Sequence, residues 1–123
     1  MSLVRSSASA SSNPYLAGSQ ILECDVTSPQ SISAALSTLG PIDQCVCCLA
    51  SRSGVKKDAY LIDYQASSDF FKAAGEEGAR HFTLLSAYCC KNPWLQFQQA
   101  KLKVREREGE RGGEGLCVRR THN

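Results

Sequence analysis

The chain has 123 residues, with 14 Lys and Arg against 12 Asp and Glu, a formal charge of +2 and a hydrophobic fraction of 42%. These are the values of one small globular domain. No run approaches the ~18 consecutive apolar residues of a membrane span, and so mild a basic excess leaves no electrostatic footprint for nucleic acid. Divided along the chain, the charge is uneven: residues 21–104 carry eight basic and eight acidic side chains, residues 1–20 only Arg5, and residues 105–123 five Arg against four Glu.

The flanks differ in composition as well as charge. Seven of the first twenty residues are Ser and none recurs with an apolar period, which predicts a disordered segment over 1–20. Two origins stand open for it: a Ser-rich, acid-poor organellar transit peptide, or a loop at the start of a truncated gene model. Residues 105–123 begin Arg105-Glu106-Arg107-Glu108-Gly109-Glu110-Arg111-Gly112-Gly113 and read as a low-complexity, disordered tail. Foldable sequence is therefore expected over 21–104.

Within that body, Gln20 to Cys24 reads as a short strand. Ser28-Pro29 then places a capping hydroxyl and a first-turn proline at a helix start, and Ile32, Ala35, Leu36 and Leu39 recur at helical spacing until Gly40-Pro41. Cys45-Val46-Cys47-Cys48-Leu49-Ala50 is a small apolar run without alternation, the pattern of a strand buried on both faces of a parallel sheet. It ends in the polar loop Ser51-Arg52-Ser53-Gly54. From Asp58 a helix is predicted, with Ala59, Ile62, Ala66, Phe70, Ala73 and Ala74 on one face and Asp63, Ser67, Lys72 and Glu76 on another, closing at Gly75 and Gly78. Arg80 to Ser86 is the third strand. Trp94 to Val104 is the last helix, with Trp94, Phe97 and Leu102 on its apolar side.

The order β-α-β-α-β-α predicts an α/β fold: a partial Rossmann-like, doubly wound parallel sheet with right-handed crossovers. The first βαβ half, with its phosphate-binding G-x-G-x-x-G, and a substrate domain are expected to be missing. Gly113-Glu114-Gly115 is the only G-x-G, and no strand is predicted before it.

The seven cysteines are an odd number, and Cys45, Cys47, Cys48 and Cys89 lie in or beside hydrophobic runs. Cysteine used as a small apolar filler points to reduced thiols in an intracellular or organellar compartment. Cys45 and Cys48 form a C-x-x-C without a second pair at ligand spacing, so no metal site is expected. Cys89-Cys90 is a vicinal pair, read as loop or core residues.

Ligands of open α/β sheets bind outside the carboxyl ends of the strands. Asp25-Val26, Leu49-Ala50-Ser51-Arg52 and Ser86-Ala87-Tyr88 would reach that rim. Small residues at 50 and 51 would let a dinucleotide lie against the backbone. Asp25 is placed either to accept from an adenine amino group or to cap its own loop, and Arg52 either to meet a phosphate or to stay solvated.

These strand ends, with Lys101 one helix later, resemble the short-chain dehydrogenase/reductase family in its atypical, NmrA-like branch. Within that branch, Leu49-Ala50-Ser51-Arg52-Ser53-Gly54-Val55-Lys56, Leu61-Ile62-Asp63-Tyr64-Gln65-Ala66, His81-Phe82-Thr83-Leu84-Leu85-Ser86-Ala87 and Leu95-Gln96-Phe97-Gln98-Gln99-Ala100-Lys101-Leu102-Lys103 are similar to the reductases that convert the 8-vinyl group of a divinyl chlorophyllide to ethyl. The resemblance implies an NADPH-dependent oxidoreductase of chlorophyll biosynthesis in the chloroplast, with a tetrapyrrole as its small-molecule substrate. It implies that Asp25 and Val26 contact the adenine, that Leu49, Ala50, Ser51 and Arg52 line the dinucleotide, and that Asp63 takes the helix position where extended dehydrogenases often have Asn. It further implies that Ser86 lies near the nicotinamide and that Lys101 bonds the nicotinamide ribose. Phe97 stands where a Tyr-x-x-x-Lys motif has its Tyr. A conjugated C=C bond offers no carbonyl oxygen for a phenol to protonate, so hydride from NADPH, Lys101 holding the cofactor, and a proton from water or from an acid such as Tyr88 are the expected parts. The rival implied reading is an NADP-binding module without catalysis, and a third is a truncated product without function. This chain alone is expected neither to bind NADPH tightly nor to reduce a substrate.

Overall fold

Ser28 and Pro29 set the first clear register. In the computed structural model, which describes residues 1–87, 92–110 and 116–120, the Ser28 hydroxyl accepts from the Ser31 N–H at 3.3 Å and Pro29 opens helix α2 (Pro29–Ser37). Gly40, at φ +75°, turns the chain after it, a left-handed conformation that glycine adopts without a Cβ penalty. Strand β2 (Ile21–Glu23) precedes this helix and strand β3 (Gln44–Cys47) follows it. A helical segment follows in successive stretches: α3 (Lys56–Asp58), a π-helical stretch Ala59–Ala66, and α4 (Ser67–Glu76). Strand β4 (His81–Ser86), helix α5 (Gln96–Glu110) and strand β5 (Leu116–Arg120) complete the order.

All described strand pairs are parallel. β3, β4 and β5 form one sheet in that order, with Cys45 opposite Phe82, Cys47 opposite Leu84 and Phe82 opposite Leu116. Parallel neighbours need a crossover, and the helical stretch 56–76 and α5 supply it. The alternation of strand and helix expected over 21–104 is therefore observed, and the fold is α/β.

Both flanks carry structure where disorder was expected. Strand β1 (Ser2–Val4) pairs with β2 in a separate two-stranded sheet, Ser2 opposite Ile21 and Val4 opposite Glu23. A short helix α1 (Ser7–Ser11) and a 3₁₀ turn (Pro14–Leu16) follow. The cause is local pairing that composition averages away: Cys24 N–H donates to the Val4 carbonyl at 2.9 Å, and the Glu23 carboxylate accepts from the Ser7 N–H and hydroxyl at 3.1 and 2.9 Å. At the other end α5 runs past Val104 through the Arg/Glu repeat to Glu110, residues of good helix propensity, and β5 lies on β4 within the tail.

Ile32 and Leu36 of α2, Cys45 and Cys47 of β3, Phe71, Ala73 and Ala74 of α4, Leu84 of β4 and Val104 of α5 form one core, to which β1 adds Leu3. Phe71 meets Phe82 edge-on at 5.4 Å, the quadrupole-favoured arrangement. β3 departs from the expectation of burial on both faces: Cys45 and Cys47 are buried, whereas Val46 between them is 58% exposed. The core helices take the Cys45 and Cys47 side, and Val46 with Leu85 of β4 faces outward among the described residues. Trp94, expected on the apolar side of the last helix, is 87% exposed because that helix starts at Gln96 and turns Ala100 and Val104 inward.

Leu84→Ala, at a fully buried position, is expected to destabilise the fold by about 2–5 kcal/mol in urea denaturation. Val46→Thr, on the outward face, should stay within about 0.5 kcal/mol of the parent.

Candidate functional site

The carboxyl end of β3 leads directly into Leu49, Ala50 and Ser51. Leu49 packs its side chain on the core, and its carbonyl accepts from Lys101 Nζ of α5 at 2.7 Å. Ser51 donates both its N–H, at 3.1 Å, and its hydroxyl to Asp63 Oδ2. Asp63 Oδ1 lies 3.4 Å from Lys101 Nζ. Two opposite charges and the loop after β3 are thus joined in one network, with Asp63 at 0% exposure and Lys101 at 5%.

The backbone explains why a charged residue can sit there. Asp63 and Ser67 were expected on the polar side of a helix over 58–76, but Asp63 stands four residues after Ala59 and three before Ala66, which puts it on their face, with Ser67 one turn beyond. The stretch Ala59–Ala66 is π-helical, with i→i+5 pairing, and Asp63, Ala66 and Ser67 are all buried. The Ser67 hydroxyl donates to the Ile62 carbonyl at 3.3 Å and accepts from the Cys47 thiol at 3.5 Å. A lone charge in this position would cost several kcal/mol in lost hydration. Mutual pairing and the Ser51 and Leu49 bonds offset that cost, and the network as a whole is electrically neutral.

α5 is fixed at its start by a residue that sequence reading missed. Gln98 Oε1 accepts from the N–H groups of Trp94 and Leu95, each at 3.0 Å. This is the back-reaching half of a capping box, and a Gln three residues into a helix is the signal for it. Lys101 sits one turn beyond Phe97, which is half-buried.

The other predicted residues are distributed around this network. Ser86 is the last residue of β4, buried, and β4 is the direct neighbour of β3. Ala50 and Arg52 are exposed in the loop. Asp25 and half-buried Val26 follow β2, in the other sheet. Asp25 Oδ1 accepts from the Thr27 hydroxyl at 2.7 Å and N–H at 2.9 Å, and these two bonds, the hydroxyl first, hold its carboxyl below the usual range. These bonds cap the loop after β2. Tyr88 and the Cys89-Cys90 pair lie outside the described residues. Arg5, exposed and immediately after β1, was not singled out, because the segment around it was read as disordered; Leu3-Val4 before it was the available signal.

Cys24, Cys45 and Cys47 are buried fillers, whereas Cys48, expected among them, follows the end of β3 and faces outward. Burial, then the neighbouring Cys47, pushes the Cys45 thiol up to about 12, and burial also raises Cys47 against the opposing Ser67 hydrogen bond. Cys48 is exposed. Among the described residues no three metal-binding side chains cluster, and no helix is long and apolar enough to cross a membrane.

Parallel strands, helical crossovers and a polar network at the strand ends define a Rossmann-like α/β fold. Solved structures agree. The chain superposes on the Citrobacter triphenylmethane reductase complexed with NADP(H) with a TM-score of 0.67 at 15% identity, covering 94% of this chain and 37% of that one. For the Bacillus cereus enoyl-acyl carrier protein reductase with NADP+ the TM-score is 0.62 at 16% identity, covering 86% and 52%. At such identities the likeness is one of fold. No protein-family model matches the chain. Sequence similarity is more specific: the chain is a relative of the plant divinyl chlorophyllide a 8-vinyl-reductases. It is 47% identical over 91 residues to the chloroplastic maize protein, covering 74% of this chain and 23% of that protein. The corresponding values for indica rice are 46% over 99 residues, 80% and 24%, and for Arabidopsis thaliana 44% over 89 residues, 72% and 21%. The chain therefore spans about a quarter of the length of these relatives.

Because folding raises the Cys45 thiol from 9.0 to about 12, the native state holds a proton there that the unfolded chain releases. The stabilising effect is complete below pH 9.0 and is lost as pH rises toward 12. Urea midpoints at increasing alkaline pH should fall less steeply in Cys45→Ala than in the parent. At neutral pH iodoacetamide should modify Cys48 and spare Cys45 and Cys47.

Proposed function

We propose that this chain forms part of the NADPH site of a chloroplast reductase that converts the 8-vinyl group of a divinyl chlorophyllide, or a related tetrapyrrole, to ethyl. The reading is carried by one observation: the segments on which the sequence resemblance rests converge on the neutral network of Leu49, Ser51, Asp63 and Lys101 at a strand end. The two sheets are read as portions of one doubly wound sheet. Because β1, α1 and β2 already stand before α2, less than a whole βαβ half would belong to sequence outside these residues: the glycine-rich turn with its strand, and a substrate domain, in keeping with relatives of which the chain spans 21–24%.

The residues present suit a dinucleotide. Ala50, small and exposed at the rim, lets a cofactor lie against the backbone. Asp25 and Val26 belong with the adenine, and Arg5, at the carboxyl end of β1, with the 2′-phosphate that distinguishes NADPH from NADH. Arg52 is available to the pyrophosphate. Lys101 has its charge balanced by Asp63, which suits it to the neutral hydroxyls of the nicotinamide ribose rather than to a phosphate. Ser86 closes the adjacent strand on the nicotinamide side. The bound cofactor supplies hydride. The chain's own task is to hold it still, and Phe97 in place of a phenol is consistent with a C=C acceptor, whose proton comes from water or from Tyr88.

The test is a chimaera in which residues 21–104 replace the matching segment of the maize reductase, assayed for NADPH-dependent conversion of divinyl to monovinyl chlorophyllide. Turnover within about tenfold of the maize parent is expected, with Lys101→Ala lowering it by about 10²-fold or more. A folded chimaera that binds NADPH and reduces nothing would support the non-catalytic binding module instead. Failure to bind NADPH would overturn the proposal.

A further inference from the structure

Lys101 Nζ is shared by two acceptors at unequal distance, the Leu49 carbonyl at 2.7 Å and Asp63 Oδ1 at 3.4 Å. Asp63 Oδ1 makes no hydrogen bond of its own, although it is buried. Oδ2 of the same carboxylate is saturated by the N–H and hydroxyl of Ser51. Leu49 and Ser51 flank Ala50, so the loop is grasped on both sides of that small residue, on one side by the ammonium and on the other by the carboxylate. Neither grip stands alone: the lysine needs the carboxylate to be buried charged, and the carboxylate needs the lysine for its second oxygen.

We propose that Asp63 is a positioning residue that clamps Lys101 and the 49–51 loop into one rigid unit, so that the ammonium and the cofactor-facing backbone keep a fixed relation before any ligand arrives. Its purpose rests on the cofactor reading above; the clamp itself does not. Asp63 acts through Lys101 and Ser51, and its place on the buried face of the helical segment sets its carboxylate between them. The clamp also sets a requirement on position 63. Asparagine would still accept from Ser51 through its oxygen, but its other group is a donor and would face the Lys101 donor, releasing the ammonium while leaving the loop bonded.

Two measurements on the full chain separate these grips. One is the rate at which dilute acetic anhydride acylates Lys101, read by peptide mass spectrometry. The other is amide hydrogen exchange at Ser51, compared with Leu84 in the β4 core. Asp63→Asn is expected to speed Lys101 acylation about tenfold while Ser51 stays protected. Asp63→Ala is expected to release both, with Leu84 exchange unchanged, because only a local opening is added. Unchanged acylation in Asp63→Asn, or an equal loss of protection at Ser51 and Leu84 in Asp63→Ala, would overturn the clamp and leave Asp63 a merely structural residue. Should the Asp63 variants fail to fold, Ser51→Ala removes one of the two Oδ2 donors and gives the same reading: Lys101 acylation about threefold faster supports the clamp, and an unchanged rate refutes it. No NADPH enters either measurement, so a failed clamp and a failed cofactor reading are told apart.

Discussion

A carboxylate and an ammonium excluded from water must find each other, and in this chain that requirement ties together segments distant in sequence. Asp63 comes from the helix after β3, Lys101 from the helix after β4, and the residues they hold, Leu49 and Ser51, from the loop between β3 and the first of those helices. Hydrophobic burial places the helices on the sheet, but it is non-directional and tolerates small slides. The ion pair and its hydrogen bonds have a geometry, and they fix which turn of α5 faces which turn of the π-helical stretch. The capping of α5 by Gln98 serves the same end by setting where that helix begins.

The same constraint shapes the buried face of the helix after β3. A helix that offers Ala59 and Ala66 to the core carries Asp63, four and three residues from them, on the same face. Asp63 and Ser67 lie inside on that face: Ser67 is bonded to Ile62 and Cys47, and Asp63 is bonded to Ser51 through one oxygen while the other faces the Lys101 ammonium.

Most of the architecture was legible because its signals are short-range. Ser28-Pro29 and Gly40 bracket α2 as written, and the strand ends at Ser86 and near Cys47 fall close to where apolar runs give way to polar loops. What was not legible depends on partners. β1 and β5 are strands because β2 and β4 lie beside them, and three to five residues carry no period of their own. The outward face of Val46 could not be read from Cys45-Val46-Cys47, since an apolar run is silent about which of its faces is covered. The candidate site was legible as a list of residues, largely through the resemblance. Its wiring was not: the spacing that sets Asp63 beside Ala59 and Ala66 was there to be read, but nothing in the sequence reveals that Lys101, on another helix, comes to neutralise it.

The position of Trp94 reaches into how this protein can be watched. It is the chain's single tryptophan, and with 87% of its surface in water its indole meets nearly the same solvent whether the chain is folded or not. Intrinsic fluorescence at the red edge is therefore a poor reporter of folding. It is correspondingly well suited to reporting a molecule that settles over the start of α5, since any such contact would dry the ring and shift its emission against an otherwise silent background.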